Sequence, residues 1–288
     1  MMDLNLRRRF FAEELEAVGK LESSTLVDAF AAVPREQFLR PGPWTVMADV
    51  DFTGLSRTRS TPDADPARVY HNISVAIDPA RHLFNGQPGT LAVWIDALGL
   101  EAGGRVLHVG CGLGYYTAVM AQCVGSSGRV VAFEVDETLA NEARQNLASR
   151  AWVDARHGDA SVVDGSFDAI LVNAGVTHPL DTWLDALNDG GRMIVPLTST
   201  MVAMGSTIGK GLVVVVTKQT TTNFTARILT VVAVYSAVGL RDDAMNDRLG
   251  KAMMGGPMKW GSVRRLRRDQ HEEAPECWLH GKAFCLTG

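Results

Sequence analysis

Three glycines, Gly110, Gly112 and Gly114, follow the apolar run Val106-Leu107-His108-Val109 and precede a helical pattern. Buried strand, glycine turn and helix are what a close-fitting ligand loop requires. Glycine takes positive φ without a Cβ penalty, and the first N–H groups of a helix, lacking intrahelical partners, favour an electron-rich group. The spacing is G-x-G-x-G followed by Tyr115, not the G-x-G-x-x-G of a dinucleotide fingerprint, so no pyrophosphate has to be cradled. A second apolar run, Val130-Val131-Ala132-Phe133, ends in Glu134 and Val135. An ionised carboxylate only accepts hydrogen bonds, and a ribose cis-diol offers two donors. A third strand-like stretch ends at Gly158-Asp159-Ala160, whose carboxylate suits an adenine amino group. The chemistry is that of a nucleotide-type cofactor site at the C-terminal ends of sheet strands.

Glycine loop, Glu134 and Asp159, in that order, resemble the S-adenosylmethionine site of a class I methyltransferase. The resemblance implies S-adenosyl-L-methionine as cofactor and S-adenosyl-L-homocysteine as product. The cofactor-facing positions would be Gly110, Cys111, Gly112, Gly114, Tyr115, Glu134, Val135, Asp159, Ala160 and Asn173. His178, on the loop after Asn173, is either a substrate contact or base, or a helix-start residue satisfied locally.

The elements that must position these residues follow from periodicity. Leu4, Leu6, Phe10, Phe11, Leu15 and Val18 have helical spacing, with Gly19 as a stop. A second helix starts at Ser23-Ser24 and ends before Pro34. Residues 40–84 show no long apolar period, and a connection of that length is usually functional or mobile; His71 and His82 within it read as surface histidines. Pro88 suits a first helical turn. From residue 105, short apolar runs alternate with helical patterns: helix 115–124, strand 129–135, helix 137–149, strand 152–156, strand 167–173, helix 180–188 and strand 192–197. That alternation specifies an α/β fold, Rossmann-like, with a mostly parallel sheet covered on both faces. Residues 212–217 and 227–235 lack a helix between them and should form a closing antiparallel hairpin. The division expected is N-terminal helices and substrate-side loop over 1–87, cofactor-binding core over 88–238, and a C-terminal extension over 239–288 docked on the core. In the extension a polar helix is expected at 242–254. The cluster at residues 264–268 is expected to pair with Asp269, Glu272 and Glu273, an anionic-substrate or partner surface being the other reading.

At 288 residues the chain can bury a core without staples. A net charge of −4 does not favour a nucleic-acid partner. The arginines at positions 7–9 are followed by Glu13, Glu14 and Glu16, not an apolar region, so no secretory signal is expected. The longest apolar stretch, 228–240, is too short to span a bilayer, and a cytoplasmic protein without a membrane partner is expected. Cys111, Cys123, Cys277 and Cys285 show no C-x-x-C spacing; reduced thiols are expected and no metal site. Composition leaves the oligomeric state open.

A narrower resemblance rests on Val33-Pro34-Arg35-Glu36-Gln37-Phe38, on Phe84-Asn85-Gly86-Gln87-Pro88, and on the segment from Gly190 to Pro196, GGRMIVP. With the glycine loop, Glu134 and Gly158-Asp159, these resemble protein-L-isoaspartate O-methyltransferases over roughly residues 4–236. The resemblance implies methylation of a protein or peptide carboxylate, with Asn85 and Gln87 on the loop that meets cofactor and acceptor. Two positions depart from the pattern. Gly86 stands where the family carries a serine, and His108 replaces a common acidic residue. A small-molecule or modified natural-product peptide acceptor is the alternative within this class. A non-catalytic cofactor-binding or interaction module is the alternative outside it.

Overall fold

The computed structural model describes residues 3–48, 57–200 and 207–288; positions 49–56 of the long connection lie outside the described residues. In chain order the elements are α1 (Leu4–Gly19), α2 (Ser24–Ala32), β1 (Thr45–Met47), β2 (Thr58–Ser60), β3 (Ser74–Asp78), β4 (Leu83–Phe84), α3 (Pro88–Leu98) and β5 (Arg105–Val109). They continue with α4 (Tyr115–Val124), β6 (Arg129–Glu134), α5 (Glu137–Leu147), β7 (Val153–His157), β8 (Phe167–Val172), α6 (Asp181–Ala186), β9 (Leu187–Ser199), β10 (Ile208–Lys218) and β11 (Asn223–Tyr235). The tail holds α7 (Asp243–Met253), α8 (Pro257–Trp260), β12 (Arg265–Arg267), β13 (Cys277–His280) and β14 (Cys285–Thr287). The chain forms two compact units: one of residues up to Gly103 with Cys111–His157, the other of Gly104–Gly110 with Gly158–Gly288. No helix among the described residues is long and apolar enough to cross a membrane.

In the first unit α1 buries Phe11, Ala12 and Leu15, and Asp3 caps it through the Asn5 N–H. The Ser23 side chain accepts from the Leu26 N–H at 3.2 Å, the cap expected for α2. Pro34 does end that helix, because Val33 before it is extended (φ −82°, ψ 115°). The 40–84 connection, which shows no long apolar period in the sequence, contains short strands among its described residues. It carries a four-stranded antiparallel sheet in the order β2-β1-β3-β4. The strands have two to five residues each, too few to show a period of two against the intervening Pro, Gly and Asp. The unit also contains the parallel pair β6–β7, with α4 against β6 and α5 against both strands.

In the second unit β5, β8 and β9 are parallel neighbours, and β10 and β11 continue the sheet antiparallel. The hairpin forms as expected, but the sheet does not end there. β12 pairs with β11 through Phe224 opposite Leu266, β14 pairs with β12, and β13 pairs with β14. The tail thus adds three short strands with bulky apolar residues on one face, Leu266, Leu279 and Leu286, all buried. The helix expected at 180–188 is six residues long, and Leu187 onwards is already strand β9. The polar helix expected at 242–254 is α7, capped by Asp242 through the Met245 N–H at 2.7 Å.

Candidate active site

The glycine loop is tied to the end of β6 by two contacts. Cys111 N–H donates to the Phe133 carbonyl at 3.0 Å, and Gly112 N–H donates to Glu134 Oε2 at 2.8 Å. Glu134 Oε1 accepts from the Asp136 N–H at 3.1 Å, and Asp136 in turn caps α5. The Glu134 carboxylate is buried. Its two oxygens offer about four acceptor sites, so accepting these two N–H groups leaves capacity for further donors. Gly112 and Gly114 have φ of +54° and +93°. A Cβ at Gly114 would stand 2.8 Å from Leu147 Cδ1, and one at Gly112 would stand 3.3 Å from Ile77 Cδ1. Ile77, Leu113 and Leu139 form an apolar cluster with Leu83 against it.

Around this loop the side chains divide in use. Tyr115 is buried with its ring 5.9 Å from Phe38, 6.3 Å from Phe30 and 5.7 Å from the Arg35 guanidinium, so only its backbone is left to meet a ligand. Burial, assisted by Glu134, pushes the Cys111 thiol well up, so it stays protonated and acts as a small filler. Val135 is 40% exposed, and its carbonyl lies 3.1 Å from His157 Nε2.

In the second unit Asn173 is fixed to the end of β5. Its N–H donates to the Val109 carbonyl at 2.8 Å and its Nδ2 to the Gly110 carbonyl at 3.4 Å. Asp159 Oδ1 accepts from the Ser161 N–H at 2.9 Å, which holds the carboxyl below its ordinary range. Ala160 takes a left-handed conformation, φ +58°, unusual for a residue with a Cβ. The Trp183 indole donates to its carbonyl at 2.8 Å and fixes that turn. His108 lies in the sheet interior, and burial alone pushes its pKa down to about 3. The residue that replaces the family's acid is therefore a neutral core imidazole at neutral pH. His178 is half-buried, with Nδ1 2.9 Å from Thr177 Oγ1 and its ring stacked 6.4 Å from Phe284. Burial lowers its pKa, against the opposing pull of Asp242 and Asp181. The Thr177 contact gives it a local partner, and burial favours the neutral imidazole.

The acceptor segment behaves differently. Asn85 Oδ1 accepts from the Val75 N–H at 2.8 Å, and Asn85 N–H donates to the Val75 carbonyl at 2.9 Å. Gln87 Nε2 donates to the Asn72 carbonyl at 3.2 Å. Both side chains therefore hold the segment in place. A Cβ at Gly86 would meet Leu91 Cδ2 at 2.3 Å, and Tyr116 donates its hydroxyl to the Gly86 carbonyl. The missing serine is thus matched by a leucine that occupies its space.

Four residues to which the sequence assigned no role in the site shape these segments. Arg35 is wholly buried and donates to the carbonyls of Val69 (2.6 Å), His71 (3.2 Å) and Ile73 (2.7 Å). Its N–H donates to the Tyr70 hydroxyl at 3.1 Å, and that hydroxyl donates to Glu36. The motif at residues 33–38 is therefore a clamp on the chain entering β3. Asn72 Oδ1 accepts from the Gly89 N–H at 2.7 Å, fixing the start of α3. Trp183 acts as described above. Arg241 donates to the carbonyls of Gly175 and Thr198, both at 2.8 Å, while Asp242 N–H donates to Thr177 Oγ1 at 3.0 Å. The 175–178 loop is thus held by residues just beyond the resemblance.

One surface expectation needs adjustment. Of the basic cluster, Arg267 pairs with Asp269, Arg268 reaches Asp181 at 3.1 Å and also Asp185, and Arg264 donates to the Gly261 and Val263 carbonyls, both at 2.8 Å. His71 and His82 are exposed, as expected. Cys277 and Cys285 are free thiols, and they lie in one group with His271 and His280.

The sequence profile described as Protein-L-isoaspartate(D-aspartate) O-methyltransferase matches residues 46–226. A protein-L-isoaspartate O-methyltransferase of Thermotoga maritima is 31% identical over 183 residues, covering 61% of this chain and 51% of that protein. The chain thus spans about half the length of that relative. Among solved structures, a protein-L-isoaspartate O-methyltransferase superposes with a TM-score of 0.65 at 24% identity, over 86% of this chain and 69% of the other. A Plasmodium falciparum structure, described as a protein-L-isoaspartate O-methyltransferase and solved with S-adenosyl-L-homocysteine, gives a TM-score of 0.59 at 19% identity, over 80% and 97%. These likenesses establish the class I methyltransferase fold. With the profile matching more than half of its residues, the chain belongs to the protein-L-isoaspartate(D-aspartate) O-methyltransferase family.

Proposed function

We propose that the protein is an S-adenosylmethionine-dependent O-methyltransferase acting on a carboxylate of a protein or peptide. The observation that carries this reading is the buried Glu134 carboxylate, which orders the Gly112 N–H and keeps acceptor capacity. The residues of the first unit fit an adenosine-bearing cofactor: Glu134 would accept from the ribose hydroxyls, and the positive-φ glycines give a backbone able to approach the ligand. The resemblance implies Asp159 as the acceptor for the adenine amino group. Bound S-adenosylmethionine supplies an electrophilic methyl group. The acceptor requires no base when it is a carboxylate, whose unperturbed pKa near ~4 leaves it ionised at neutral pH. What the chain supplies is position, worth as much as ~7–11 kcal/mol of a barrier. The Asn85 NH2 and the backbone N–H groups of the acceptor segment are the donors that would meet such a carboxylate.

Gly86 makes the acceptor preference differ from that implied by the family serine. Losing one hydrogen bond to a charged group costs about 1.5–3 kcal/mol, roughly ten- to a hundredfold in affinity. An ordinary isoaspartyl peptide is therefore expected to be a poor acceptor unless backbone N–H groups or Asn85 compensate. The test is transfer of labelled methyl to an isoaspartyl peptide, its aspartyl control, aged protein, and amine and phenol acceptors. A product that releases its label on mild alkaline treatment is expected. An alkali-stable N-methyl or aryl ether product would overturn the carboxylate reading.

A further inference from the structure

We propose that His271, Cys277, His280 and Cys285 form a structural zinc site in the tail, with one Zn²⁺ held by two imidazoles and two thiolates. One potential ligand atom from each residue lies within 4.8 Å of the other three. Tetrahedral zinc, with bonds of about 2.0–2.1 Å to nitrogen and about 2.3 Å to sulfur, sets its ligand atoms about 3.3–3.8 Å apart. Cys277 Sγ and His271 Nε2 are already 3.6 Å apart. The remaining contraction is within the reach of side-chain rotation.

The backbone has a device that builds the set. Cys277 and His280 are three residues apart on β13, a spacing that in a regular strand puts side chains on opposite faces. Here the register shifts between Cys277 and Leu279, so that Cys277 faces Thr287 while His280 faces Cys285. Residues 285 and 287 share a face of β14, and their partners therefore share one too. The bulge turns Cys277 to the side of His280 and Cys285. His271 approaches from the segment before β13.

The surrounding contacts are those of metal ligands. His271 Nδ1 lies 2.9 Å from the Asp269 carbonyl, which accepts only if Nδ1 carries the proton, leaving the Nε2 lone pair aimed at Cys277. His280 Nδ1 is buried and has no hydrogen-bond partner among the described residues, a costly state that a metal bond relieves. Cys277 Sγ accepts from the Ala274 N–H at 3.4 Å. The two rings stand edge-on at 4.8 Å, and a surface depression lined by His271 and His280 gives ions access. Two nitrogens and two sulfurs select zinc over magnesium, calcium or manganese. On binding, each thiol releases one proton to solvent and forms a Zn–S bond, so the dication and two thiolates are together neutral; no oxidant or reductant takes part. Four protein ligands close the coordination sphere, so the site fastens β13 and β14 to the segment before β13 and leaves no position for catalysis.

The test uses the untagged full-length protein purified under reductant. Elemental analysis is expected to find about one zinc ion per chain. After chelation, Co²⁺ should restore thiolate-to-cobalt charge-transfer bands and the intense d–d bands of tetrahedral coordination, and zinc should bleach them. Cys277→Ser with Cys285→Ser should abolish binding, while Cys123→Ser should retain it. The cobalt titration needs only the wild-type chain, so it decides the matter even if the double variant does not fold. A wild-type chain that holds no stoichiometric zinc and gives no thiolate–cobalt bands overturns the proposal. So does a double variant that binds metal as the wild type does.

Discussion

The glycine loop at 110–114 and the acceptor segment at 84–88 are both short, glycine-bearing and placed before a helix, yet they spend their residues in opposite ways. In the glycine loop the backbone does the work: N–H groups reach the Phe133 carbonyl and Glu134, and a buried carboxylate keeps acceptor sites. In the acceptor segment the side chains read as ligands, Asn85 and Gln87, are engaged with Val75 and Asn72, and the glycine exists beside a leucine. A motif that binds through its backbone has one shape and one use. A motif that binds through side chains depends on neighbours, and here Leu91 fills the space beside Gly86.

The contrast breaks first if Gly114 tolerates a side chain. Gly114→Ala is expected to cost about 3 kcal/mol, from left-handed strain and displacement of Leu147. Gly112→Ala should cost about half as much, since Ile77 is 3.3 Å away. Urea unfolding of both variants checks the ranking; equal costs would show that the Leu147 contact carries no weight.

Acid provides the next largest effect, through the strand that feeds the loop. Burial lowers the pKa of His108 from 6.5 to about 3. Between those values the unfolded chain binds a proton that the folded chain refuses, so stability rises with pH through the window and is complete above the unfolded pKa. Relative to neutral pH, acidification to pH 5 should cost about 2 kcal/mol from this group, at about 1.4 kcal/mol per pH unit. His108→Gln should flatten that part of the profile, measured by denaturant unfolding at several pH values. An unchanged slope would mean that His108 does not titrate across this range.

The same contrast explains what was legible. The strand–glycine–helix order, Glu134 at the end of β6 and the α/β alternation are contiguous patterns, and sequence reading finds them. The small sheet of β1 to β4 was missed because strands this short carry no period. The clamp of Arg35 on Val69, His71 and Ile73 joins residues more than thirty positions apart, which no local pattern encodes. Cys277 and His280 share a face only because of a bulge, so C-x-x-H spacing in a strand gave no sign of a ligand set. Tyr115 shows the converse: its position in the loop suggested a ligand contact, and the core claimed its side chain.

The acceptor segment should show the smallest effect. Gly86→Ser alone is expected to cost about 1–2 kcal/mol, because Leu91 must yield to the new Cβ. With Leu91→Val the cost should fall, and transfer to an isoaspartyl peptide should rise from the wild-type level. Thermal unfolding and initial rates measure the two parts. A serine accommodated without cost, or without gain in isoaspartyl transfer, would show that Leu91 is not what separates this chain from the family pattern.

Calorimetric titration with S-adenosyl-L-homocysteine and with NAD, on the wild type and on Glu134→Gln, bears most directly on the proposed cofactor site. Expected are binding of S-adenosyl-L-homocysteine, no binding of NAD, and a ten- to hundredfold weaker affinity in the folded variant, the equivalent of about 1.5–3 kcal/mol. Unchanged affinity in a variant with wild-type circular dichroism, or binding of NAD in place of S-adenosyl-L-homocysteine, would contradict the assignment of Glu134 and the glycine loop.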